Sequence, residues 1–160
     1  MMGGFVMSVE EKLVSLGITL PEPPSPAGLY SPFVQTGNLV FASGVIPVSK
    51  DAAPKGRVGA ELSLEEGQEA ARLCILNMLS AFRRDFGSLD RIVRVVKLVV
   101  FVQSTDDFHQ QAAVANGASQ LMLDIFGTPA PARSAVGANA MPLDVPVEIE
   151  AVIEIDSIKE

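Results

Sequence analysis

The sequence predicts an α+β fold: one mixed or mostly antiparallel sheet with two long helices on one of its faces, in the order ββαβαββ. Three observations carry that reading. Two amphipathic stretches of helical length flank Ile92–Gln103, a run dense in β-branched residues. Ahead of them, two apolar runs meet at Thr36-Gly37-Asn38, where Gly and Asn accept the positive φ of a hairpin turn. Two further strand-like runs, Arg133–Ala138 and Val145–Asp156, close the chain.

Taken in order, Ser8-Val9-Glu10-Glu11 has the spacing of a capping box, and Leu13 and Leu16 share a face of the short helix it opens, which Gly17 ends. Leu20–Pro32 carries five prolines, too many missing donors for a helix or a sheet interior, and reads as an extended lead-in lying against the surface. The hairpin Phe33–Ser43 follows, with Gly44 expected to break its second strand. Ile46–Leu62 is the longest loop, and its Gly56-Arg57-Val58-Gly59 lacks the further glycine and lysine of a phosphate loop. Ser63-Leu64-Glu65-Glu66 repeats the capping box and opens a long helix, with Ile75, Met78 and Phe82 at helical spacing, that stops at Gly87. After Ile92–Gln103, Thr105 or Asp106 is expected to cap a second long helix carrying Val114, Ala118, Leu121 and Ile125, stopped by Gly127 and Pro129.

At 160 residues the chain is expected to form one domain over 1–160, with about 1–32 as the N-terminal helix and proline-rich lead-in. A net charge of −7 and a pI near 4.7 repel polyphosphates at long range, so no nucleic-acid partner is expected. The apolar runs are too interrupted for a membrane span. The N-terminus has neither a basic region nor an apolar stretch of signal-peptide length, which points to the cytoplasm. Cys74, the one cysteine, sits among Leu73, Ile75 and Leu76 and reads as a buried, inert thiol. His109, the one histidine, reads as a surface residue, so neither a metal site nor a Ser-His triad has support.

Helices can cover only one face of this sheet. Alternation along Ile92–Gln103 puts Val93, Val95, Val99 and Phe101 on one face and Ile92, Val96, Leu98, Val100 and Val102 on the other. Each aliphatic side chain left in water forgoes about 1.5–3 kcal/mol, so the second face is expected to be covered by other copies of the chain. In the last strand Val147, Ile149, Ala151, Ile153 and Ile155 share one face, and Glu148, Glu150 and Glu154 share the other. Those carboxylates are either a solvated face or, against another subunit, paired or functional.

Arg133 is a lone guanidinium among Ala132, Ser134, Ala135 and Val136. It reads as an ion pair with Glu148 or Glu150, or as a planar fork for a ligand carboxylate with room left by small neighbours.

The stretches Pro131–Val136 (PARSAV) and Pro146–Val152 (PVEIEAV), supported by GNLVFASGVIPV, VVKLVVFVQSTDDF and NGASQLMLDIFG, resemble the YjgF/RidA family of reactive-intermediate deaminases, also called L-PSP endoribonucleases, in its longer-N-terminus branch. The resemblance runs from about Val9 to Asp156. It implies a chorismate-mutase-like sandwich and a homotrimer with sheets inside, helices outside and ligand clefts between subunits. It implies hydrolysis of small 2-imino or enamine acids to 2-keto acids and ammonia, with no metal or organic cofactor. By position, Arg133 matches the arginine that grips the substrate carboxylate and Glu148 the glutamate that positions or activates water. Ser43 and Gly44 match the turn lining the cleft. Ala135 stands where many members have cysteine, and Phe33, or a displaced Tyr30, matches the family tyrosine. The fifteen positions from Arg133 to Glu148 are expected to hold one strand, a Pro142 turn and the start of an antiparallel return that brings the two side chains together. A non-catalytic trimeric binder of small carboxylates is the alternative, and an endoribonuclease a further one.

Overall fold

The structure, a computed structural model, describes residues 6–127 and 129–157; the first five residues, on which the reading of the N-terminus partly rests, lie outside them. Five strands form one sheet: β1 (Phe33–Thr36), β2 (Leu39–Val45), β3 (Ile92–Gln103), β4 (Ala132–Ala138) and β5 (Val147–Ile155), in the spatial order β1-β2-β5-β3-β4. Neighbours are antiparallel except β3 and β4, which run parallel. Helices α2 (Leu64–Phe86) and α3 (Gln111–Phe126) cover one face, and the short α1 (Val9–Ser15) packs beside α3. This is the α+β architecture the sequence predicts.

Local chemistry explains most boundaries. Ser8 and Ser63 both accept from the third helical amide while Glu11 and Glu66 reach back to the capping residue, so both capping boxes form. Gly37 turns the β1–β2 hairpin at φ +58°. Between the sheet and the helices, Leu98, Val100 and Val102 of β3 and Val147, Ile149 and Ile153 of β5 are at most 1% exposed, against Cys74, Ile75 and Phe82 of α2 and Val114 and Ala118 of α3. Gly117 lets the two helices touch: a Cβ there would lie 2.2 Å from the Gln68 carbonyl oxygen of α2.

Four expectations are corrected. Helix α3 begins at Gln111, because Thr105–Phe108 closes a turn of its own through the Phe108 amide and the Thr105 carbonyl. Gly44 does not end β2, which passes through a bulge between Ala42 and Val45 and stays paired to β5. Two bulges in β3 interrupt its alternation, so Val95 turns to the helix face (7% exposed) and Val96 does not. Most consequentially, β4 and β5 are not neighbours. The chain leaves β3 through α3 and returns as β4 parallel to it, a strand-helix-strand crossover, and β5 inserts between β2 and β3.

The face away from the helices carries Val34, Phe41 and Val136, which are 59%, 48% and 46% exposed, with Val99, Phe101 and Val152 between them. No element of the described residues covers it. Among those residues no helix is long and apolar enough to cross a membrane.

Candidate functional site

Glu148 lies near the start of β5, opposite Phe101 on the helix-free face. The β2 bulge brings Gly44 against it so closely that a Cβ on Gly44 would meet Glu148 Oε1 at 1.9 Å. Partial burial, and after it the charge of Glu150, hold the Glu148 carboxyl above its ordinary value. Beneath the sheet, burial and then the charge of Glu148 drive the Cys74 thiol well up, and its Sγ lies 3.8 Å from the Val147 carbonyl oxygen. Cys74 is free and fully buried, the burial its place in the sequence predicts.

Arg133 is on the other side of the sheet. In β4 it registers with Leu98, which registers with Ala151, a row that faces the helices. Its Nη1 donates to Asn116 Oδ1 at 2.8 Å and to Ser119 Oγ at 3.0 Å, both on α3. Both partners are neutral. Among the described residues no carboxylate pairs with Arg133, so the expected ion pair with Glu148 or Glu150 is replaced by an anchoring through amide and hydroxyl. Using both Nη1 hydrogens this way leaves Nε–H and the Nη2 hydrogens, one straight edge of the guanidinium, for a planar anion. Ala135, next on the same face, packs against the core beside Val100.

The antiparallel return expected to join Arg133 to Glu148 does not occur within one chain. Strand β3 stands between them, which sets their backbones roughly 9–10 Å apart across the sheet before any offset along it. Their side chains leave opposite faces.

Four of the remaining sequence-derived residues gather elsewhere. Tyr30, Phe33, Ser43 and Gly44 line a cavity of about 360 Å³ between the proline-rich lead-in and the end of β2. Phe33 also packs edge-on against Phe82 at 5.8 Å and Phe86 at 5.6 Å, so its ring serves the core as well. Tyr30 is half exposed, and its hydroxyl accepts from the Ala27 amide at 3.4 Å. The Ser43 hydroxyl donates to the Ser31 carbonyl, fixing the lead-in to the bulge. The residues therefore form two groups within one chain, Arg133 with Ala135 on the helix side of the sheet, and Glu148 linked through Gly44 to Ser43, Tyr30 and Phe33. His109 is exposed, and among the described residues no three His, Cys, Asp or Glu side chains are placed to hold a metal ion.

Asn116 and Ser119 were not singled out by the sequence. The signal was present: two polar residues three apart, on the edge of a helix face otherwise made by Val114, Ala118 and Leu121, are neighbours one turn apart and can grip one atom together.

Residues 21–155 match the protein family described as Endoribonuclease L-PSP. The chain is 41% identical over 152 residues to protein TCP17 of Trypanosoma cruzi, covering 93% of this chain and 95% of that one. It is 31% identical over 140 residues to the 2-iminobutanoate/2-iminopropanoate deaminase of Escherichia coli, covering 87% and 97%. Among solved structures, the Agrobacterium tumefaciens protein Atu1372, of unknown function, superposes with a TM-score of 0.82 at 40% identity over 92% of each chain.

Proposed function

The chain belongs to the YjgF/RidA family, described as Endoribonuclease L-PSP, and from that premise we propose that it hydrolyses small 2-imino acids, or their enamine tautomers, in clefts between the subunits of a homotrimer. The observation that carries this reading is Arg133, a cation with no carboxylate partner among the described residues, held by Asn116 and Ser119 with a bidentate edge left free. Such a group is built to receive an anion from outside the chain. The separation of Arg133 from Glu148, together with the uncovered apolar face on which Glu148 lies, supports a site completed by a second copy.

In this reading Arg133 binds the substrate carboxylate and so fixes C2 of the imine relative to Glu148 of the neighbouring copy. The imine carbon is already electrophilic. Glu148 accepts a proton from water as the water oxygen bonds to C2, and the proton passes on to nitrogen. The hydroxyl proton of the resulting carbinolamine then passes to nitrogen as the C=O bond forms and the C–N bond breaks, giving the 2-keto acid and ammonia, so that one imino acid and one water are consumed. A carboxyl held above its ordinary pKa suits this exchange better than an unperturbed one.

The test is ammonia release from freshly generated 2-iminopropanoate and 2-iminobutanoate, with Arg133→Ala and Glu148→Gln alongside the unmodified protein. Both variants should lose turnover, and only Glu148→Gln should still bind 2-keto acids. A wild-type protein that binds those acids without releasing ammonia from any imine is instead a carboxylate binder.

A further inference from the structure

The cavity beside Gly44 is a constructed one. Three side chains of α2 hold its two walls: Asn77 Nδ2 donates to the carbonyls of Ile46 at 2.9 Å and Val48 at 3.0 Å, Ser80 Oγ to that of Pro21, and Arg84 Nη1 to that of Pro24 at 2.8 Å. Asn77 and Ser80 are only 1% and 2% exposed, and buried donors of this kind persist where acceptors are supplied, here by the walls themselves. Proline fixes φ, so a strap bearing Pro23, Pro24 and Pro26 resists collapsing into the space.

The lining is mostly apolar, with Pro23, Pro26, Tyr30, Phe33, Val45 and Ile46; the half-buried Ser43 and Ser49 commit their hydroxyls to nearby backbone groups, and the polar Glu22, Ser25 and Lys50 are exposed at the rim. Its volume of about 360 Å³ lies within the range of small-molecule sites. A methyl group occupies about one water's share of space, roughly 30 Å³, and would leave most of it empty. Glu148 does not itself line the cavity, but Gly44 is common to the cavity wall and to the Glu148 contact, so one residue separates the space from the carboxylate.

Resting on the imine-hydrolase reading above, we propose that this cavity receives the substrate's side chain and selects 2-imino acids with branched or aromatic apolar side chains over those with methyl or ethyl groups. A polar side chain would be stripped of water there without compensating partners.

Imines generated from alanine, leucine and phenylalanine by an amino-acid oxidase give the test. The unmodified protein should show kcat/KM for the leucine and phenylalanine imines about tenfold or more above that for the alanine imine. Ala27→Trp, at an exposed strap position lining the cavity, should bring that ratio down to about one or below. Calorimetry with the 2-keto acid products should show the same reversal, 4-methyl-2-oxopentanoate binding more tightly than pyruvate only before the substitution. Turnover of all three imines with no preference, or a preference unmoved by Ala27→Trp, overturns the cavity assignment and leaves the hydrolase reading standing. Absence of turnover with every imine in the unmodified protein removes the hydrolase reading, and the assignment with it.

Discussion

The Arg133 guanidinium and the Glu148 carboxylate leave opposite faces of one sheet, with β3 between their strands. A single copy therefore does not offer both to one small substrate, and a second copy facing the first does so if its β4 edge meets the Glu148 face of its neighbour. That arrangement has a distinctive signature in mixed assemblies. Arg133→Ala and Glu148→Gln proteins, each inactive alone, should regain roughly a quarter of wild-type activity when unfolded and reassembled together at equal amounts, since about that share of clefts draws its arginine and its glutamate from the competent subunits. Mixtures that stay silent would place both residues of a working site in one chain.

The proposed homotrimer rests on the uncovered apolar face. Light scattering at micromolar concentration should give a mass of about three subunits. Phe41→Asp, on that face and 48% exposed in the single chain, should shift the protein toward monomer with its secondary structure retained. A monomeric wild type would remove the shared cleft.

Asn116 anchors Arg133 through one neutral hydrogen bond. Asn116→Ala should weaken 2-keto acid binding by about 0.5–1.5 kcal/mol, the worth of a typical hydrogen bond. Asn116→Asp is nearly isosteric yet places a carboxylate on the guanidinium, so it should weaken binding more than Ala does, without lowering the melting midpoint. Calorimetry beside thermal melting separates this from a folding defect, which would lower both.

The raised pKa of Glu148 fixes the sign of a pH effect. Burial, with Glu150 second, makes the native carboxyl bind its proton more tightly than the unfolded one. Stability from this group is thus fully present below the unfolded value and is lost as pH rises through the folded value. Glu148→Gln escapes that loss, so its melting midpoint should exceed that of wild type near pH 7, and the gap should close toward about pH 4. In activity, the acid limb of kcat/KM should fall at a pH above the ordinary glutamate value of about 4.3.

Gly44→Ala should act on chemistry more than on folding. The added Cβ collides with the far end of a flexible side chain, Glu148 Oε1 at 1.9 Å and Cδ at 2.8 Å, which can swing away at little cost. Thermal midpoint should change little while kcat falls. Gly117→Ala makes the contrast, because its Cβ would strike the Gln68 backbone of α2 and should destabilise by about 1–3 kcal/mol.

Much of the fold could be read because its signals are local. The capping boxes at Ser8 and Ser63, the Gly37 turn and the strict alternation of Val147–Ile155 each depend on residues within a few positions of one another. Strand order is not local, and the close sequence spacing of β4 and β5 suggested a pairing that the β3-α3-β4 crossover excludes. The bulges in β3 are not legible in the sequence for a related reason: which residue is squeezed out depends on the partner strand, and Val95 and Val96 are the same residue type. The candidate site residues can be named one by one from the sequence, but the arrangement that divides Arg133 from Glu148 is a property of sheet topology and cannot be seen in their spacing.

Cys74, the chain's one cysteine, is wholly enclosed between sheet and helix, and the same burial pushes its thiol well up from the ordinary value. Ala135 offers no sulfur at the β4 edge. Oxidants and electrophiles attack thiolates that they can reach, and the folded protein presents none. The chemistry proposed for Arg133 and Glu148 should therefore not depend on a thiol, and preincubation with a disulfide reagent should leave the proposed ammonia release unchanged.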